Sequence, residues 1–118
     1  MADFGLFIGW GNGVRGREAK AAGVFNEAVE LWSRWQQEGT IEGWEAFFLE
    51  PHGGDLAGFF LLRGERDKIA QARASDDLSR IVLRAGLVVD NIGVVGLETG
   101  GRIMEQMQSF VEYATELA

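Results

Sequence analysis

The stretch WEAFFLEPHGGDLAGFFLLRG, residues 44–64, constrains the fold more than any other part of the chain. Two apolar, aromatic-rich runs are joined by Pro51-His52-Gly53-Gly54. Proline second in a turn and glycine at its end suit a type I or II turn. A parallel pair of strands needs a crossover of a dozen or more residues, so a link this short makes the two strands an antiparallel hairpin. The pattern predicts strands over 41–50 and 55–63.

Helical patterns flank the hairpin. Residues 17–38 carry Val24, Ala28, Leu31, Trp32 and Trp35 at helical spacing, and Gly39 follows as a helix terminator would. After the hairpin comes a short helical region at 65–74. Ser75 then reads as an N-cap, with Asp76 and Asp77 in the favourable first turn. Leu78, Ile81, Val82 and Ala85 form the stripe of the helix that follows. The apolar run at 4–10 predicts a buried first strand, and 92–98 a fourth. Gly100-Gly101 interrupts the chain before a last helix at 102–117, with Ile103, Met107, Phe110, Ala114 and Leu117 along one side. The order β-α-β-β-α-β is the split βαβ, ferredoxin-like order. It predicts an α+β domain: an antiparallel four-stranded sheet, helices on one face, and an extra C-terminal helix. At 118 residues the chain is one domain.

One string competes with this reading. Gly11-Asn12-Gly13-Val14-Arg15-Gly16 spells G-x-G-x-x-G after an apolar run and before a helix. A dinucleotide fold also needs a second parallel strand ending in an acid roughly 20 residues beyond the loop. Here the acid ending the second strand is Glu50, 34 residues past Gly16, and that strand enters a hairpin. The loop is therefore read as a flexible connection beside a possible ligand cleft. Asn12 offers it an amide, and Arg15 and Arg17 offer charge.

Composition narrows the function. Net charge is −7, which disfavours a nucleic-acid partner. There are no cysteines, and so no disulfide, thiol or thiolate-metal chemistry. No leader pattern and no apolar run near the roughly 20 residues of a membrane span is found, so a cytoplasmic location away from membranes is expected. One histidine, His52, cannot build a multi-histidine metal site, and at the hairpin turn it reads as an exposed turn residue. No metal or cofactor is expected. Among 17 glycines, Gly9, Gly43, Gly58, Gly93 and Gly96 fall inside apolar runs, where glycine often marks close approach by something bulky.

The candidate ligand residues are Trp10, Asn12, Trp32, Trp35 and Glu45. Trp10 ends the first strand beside the glycine loop, and Trp32 and Trp35 lie on the helix that must cover the sheet. At such spacing tryptophans also serve simply as core. Alternation puts Glu45 on one face with Ile41, Phe47 and Leu49, opposite Trp44, Ala46 and Phe48. A carboxylate on an apolar face either carries a raised pKa and does chemistry or pairs with a neighbouring arginine.

The strand LFIGW, the helix GVFNEAVELWSRW, the hairpin above, the split helix ERDKIAQARASDDLSRIVLRA and the strand NIGVVGLE together resemble the dimeric α/β barrel superfamily over about residues 4–99. The resemblance implies a homodimer with two sheets face to face and a cleft between sheet and helices for a small organic ligand. It is nearest the superfamily's uncharacterised small members. It also implies an alternative: a cofactor-independent monooxygenase-like or isomerase-like enzyme acting on an aromatic or polyketide-like substrate, with Asn12, Trp10 and Trp44 near the cleft. Haem-degrading members use a helix-borne histidine, which the second helix here lacks.

Overall fold

The computed structural model describes residues 3–118. Its elements are β1 (Phe4–Trp10), α1 (Glu18–Glu38), β2 (Gly43–Phe48), β3 (Gly58–Gly64), α2 (Arg66–Arg73), α3 (Asp76–Ala85), β4 (Gly93–Glu98) and α4 (Gly101–Glu116). The four strands form one sheet in the order β2-β3-β1-β4, antiparallel at every junction. β1 and β2 are thus separated by β3, which rules out a dinucleotide-type βαβ unit.

Strand alternation divides the sheet into two faces. Leu6, Ile8, Phe60 and Leu62 point to one face and are buried with Trp32, Leu31 and Ile81. Phe7, Phe59, Phe47 and Val95 point to the other. Phe59 stacks on Phe7 and on Phe47, each at 4.9 Å between ring centroids. This row of three rings crosses β1, β3 and β2; Phe47 at its end and Val95 beside it are exposed.

The helix ends follow their sequence signals. Gly39 caps α1 in the left-handed conformation at φ 80°. The Ser75 hydroxyl accepts from the Leu78 N–H at 3.2 Å and donates to the Ala72 carbonyl at 2.7 Å, so one side chain ends α2 and starts α3. Glu27 on α1 accepts from Arg84 and Arg80 on α3, at 2.7–3.0 Å. The Arg84 hydrogen bond, aided by Arg80, holds the Glu27 carboxyl below its ordinary range.

The hairpin differs from its predicted bounds. β2 stops at Phe48 and β3 begins at Gly58, leaving a longer loop. Past Leu49, whose N–H reaches the Ala57 carbonyl at 2.9 Å, the His52 ring replaces the ladder. Its Nδ1 accepts from the Gly54 N–H at 3.2 Å, so Nε2 carries the proton and donates to the Leu56 carbonyl at 2.8 Å. The ring is an organiser of this loop.

Candidate functional site

The inward residues of α1 are mostly small in the first half (Ala21, Val24, Ala28, beside Phe25) and large in the second (Leu31, Trp32, Trp35). The small residues leave space between the helix and the sheet. That space is a cavity of about 410 Å³ near the glycine loop. Trp10, Phe25, Phe60 and Ile8 line it, with Ala85, Val88 and Ile92 on the side of α3 and the segment after it. This size is ordinary for a small-molecule site.

Aromatic contacts set the shape of the cavity. Trp10 meets Phe60 at 5.0 Å, Phe25 at 6.0 Å and Phe48 at 6.3 Å between centroids. Phe25 stacks on Phe60 at 5.0 Å. The Trp10 ring lies close over the backbone of Gly58, where an added Cβ would come within 2.7 Å of both the indole and the Phe47 carbonyl oxygen. Gly58 thus marks the close approach expected of a strand glycine among bulky neighbours. Phe48, 73% exposed, stands at the mouth.

Polar groups are few. Asn12 and Asn26, both exposed, border the cavity. Among the described residues that line it there is no acid, base or hydroxyl side chain. Trp32 lies at its closed end, wholly buried, with an indole N–H that has no hydrogen-bond partner. Leaving such a donor unsatisfied costs about 1–3 kcal/mol.

The glycine loop is committed elsewhere. The Gly11 N–H donates to the Asp90 carbonyl at 2.7 Å, the Val14 N–H to Val88 at 2.8 Å, and the Asp90 N–H to Asn12 at 2.9 Å. Gly13 pairs with Val89 as a single antiparallel bridge. The Gly16 N–H is capped by the Glu18 carboxylate at 2.9 Å, and Arg17 donates to the Leu87 carbonyl. The Gly11 and Val14 N–H groups are thereby used to hold the loop against 88–90, where it closes one wall of the cavity.

Of the candidate residues, Trp10, Asn12 and Trp32 come together around the cavity. Trp35 does not reach it. Trp35 is buried one turn farther along α1, where its carbonyl accepts from Thr40 and its ring contacts Trp32 at 5.3 Å. Trp44 packs edge-on to Phe60 at 6.3 Å, also outside the cavity. Glu45 requires a correction: it lies on the opposite face of the sheet, exposed and 3.7 Å from Arg63. The arginine-paired alternative is the one the geometry realises. Phe25, Phe48, Phe60 and Asn26 line the cavity and were not singled out in the sequence. Phe25 is seven residues before Trp32 on the same helical stripe, and Phe48 shares the strand face of Trp44.

No protein-family model matches the sequence, and no curated protein matches it. Solved structures do. A dimeric protein of unknown function and ferredoxin-like fold from Bacteroides fragilis superimposes with a TM-score of 0.57 at 10% identity, covering 81% of this chain and 96% of its own. A protein of unknown function from Nitrosomonas europaea gives 0.61 at 17% identity, covering 84% and 90%. SnoaB, a cofactor-independent oxygenase from Streptomyces nogalater, gives 0.55 at 14% identity, covering 84% and 95%. The chain has a ferredoxin-like fold. Helices cover one sheet face, and the Phe7–Phe59–Phe47 row lies on the other. No helix among the described residues is long and apolar enough to cross a membrane.

Proposed function

We propose that this protein is a homodimer in which each subunit binds a small, flat, neutral organic molecule in the cavity between α1 and the sheet. The lining carries the reading: an aromatic-walled space bordered by two amides, with no ionisable side chain among the described residues around it. A carboxylate, phosphate or ammonium group entering such a space would lose its hydration without gaining a counter-charge, which costs several kcal/mol. A ring system carrying a carbonyl or ether oxygen loses little. The dimer is supported by the apolar row on the open sheet face, which as a contiguous patch is costly in water, and by the Bacteroides fragilis neighbour, described as dimeric. A twofold pairing of these faces would bury both copies of the patch.

A second reading is a cofactor-independent oxygenase. It is favoured by the likeness to SnoaB and by the aromatic walls. An isomerase that moves protons has less support, since Glu45 and His52 both lie outside the cavity. Oxygen uptake on mixing with hydroxylated polycyclic aromatics separates the oxygenase from a pure binder.

The binding test uses matched probes. Fluorenone, a neutral tricyclic ketone, is expected to bind at least tenfold more tightly than fluorenecarboxylate, with an affinity that stays level from about pH 5 to 9 because no lining side chain titrates there. Quenching of tryptophan fluorescence reads both. Equal binding of the two, or a fluorenone affinity that follows a titration curve, would refute the neutral-ligand assignment.

A further inference from the structure

α4 is a sixteen-residue helix that buries none of its side chains. Ile103, Met104, Met107, Phe110 and Val111 are all more than half exposed. Among the described residues, side-chain ties to the rest of the chain lie in its first turns. Arg102 and Gln106 donate to the Glu98 carboxylate, and the Arg102 guanidinium lies 5.6 Å from the Phe4 ring centre. An isolated helix of this length is marginal in water, and helices in proteins persist chiefly by packing an apolar face. Among the described residues, none buries a side chain of this helix.

The dimensions say how much surface is unaccounted for. The chain exposes 7790 Å², whereas a folded monomer of this mass exposes about 6,300 Å². The radius of gyration is 16.5 Å, against about 13.5 Å for a compact domain of this length. The excess surface, roughly 1,500 Å² per chain, lies within the range that permanent homodimers bury per partner, about 1,000–2,500 Å².

We infer that α4 is an arm that packs on a second copy of this chain, its Met107–Phe110–Val111 side buried against the partner. A second copy fits because one chain carries two unpartnered apolar surfaces, the open sheet face and α4. One twofold operation covers both, twice over, and closes the assembly. This inference rests on the homodimer proposed above and adds to it a helix outside the sheet-to-sheet contact.

The test is sedimentation of the full chain beside the double variant Met107→Glu, Phe110→Glu, with amide exchange measured on α4 at high and low protein concentration. Since α4 contributes no buried side chain to its own subunit, the variant is expected to keep its fold, checked by circular dichroism. The wild type is expected to be a dimer, the variant to dimerise at least a hundredfold more weakly, and α4 amides to be protected only when the dimer is populated. A monomeric wild type would overturn both the homodimer and the arm. A dimeric wild type whose variant dimerises equally well, with α4 exchanging freely at every concentration, would overturn the arm and leave the homodimer standing.

Discussion

Phe59→Asp is expected to yield a folded monomer. Phe59 is the middle ring of the Phe7–Phe59–Phe47 row, stacked on both neighbours at 4.9 Å. The row faces away from the buried core, so the subunit can hydrate the new carboxylate without unfolding. In a sheet-to-sheet dimer the same carboxylate would be enclosed between two apolar surfaces, where an unpaired ion costs several kcal/mol. By twofold symmetry each interface receives two such charges. The expected loss is about 4 kcal/mol or more, a thousandfold in the dimer dissociation constant. Sedimentation with a circular dichroism control measures it. A dimer of undiminished affinity would mean that the sheet face is not the interface.

The second large effect is at Trp32. This residue is 0% exposed and packs against Phe60 at 5.6 Å and Trp35 at 5.3 Å. Trp32→Ala removes a wholly buried ring and extends the existing cavity, at a cost of about 3–5 kcal/mol. Trp32→Phe is expected to cost far less. It keeps most of the aromatic contact and deletes the indole N–H that has no partner, recovering part of the penalty of a buried unsatisfied donor. Denaturant melts of the two variants should therefore differ by about 2 kcal/mol or more. Equal destabilisation would mean that a phenyl ring recovers neither the aromatic packing nor the penalty of the orphaned donor, and would contradict this account.

The fold was legible because its decisive signals are local. A connection too short for a crossover forces an antiparallel hairpin, Ser75 has the chemistry of a helix cap, and Gly39 that of a helix stop. The cap and the stop were realised as a hydrogen bond and a left-handed φ at the same residues. The hairpin's length was not legible, since it depends on the His52 ring bonding to Gly54 and Leu56 in place of the strand ladder. Polarity and spacing do not encode that exchange.

The site was legible in part. Trp10 and Asn12 adjoin the glycine loop in sequence, so they border any cleft formed there. Trp32 and Trp35 share a stripe three residues apart, and spacing alone cannot say which of them ends the cavity. The answer lies in the change from small to large inward residues along α1, which becomes meaningful once the helix is laid over β1 and β3. Glu45 shows the limit of alternation most clearly. Alternation correctly separated Glu45 from Trp44, Ala46 and Phe48, but both faces of β2 are apolar in sequence. Which one covers a cavity is decided by where α1 packs, and that is a long-range fact.

The central claim is that the space between α1 and the sheet holds a neutral small molecule. Its most direct measurement is a calorimetric titration of fluorenone into the wild type and into Ala22→Trp. Ala22 is an exposed position on α1 that borders the cavity, so the larger ring obstructs the space without disturbing the core. The expected result is one fluorenone per subunit for the wild type, and binding at least tenfold weaker for Ala22→Trp at an unchanged melting temperature. Equal binding by the two proteins, or no binding by the wild type, would contradict the claim.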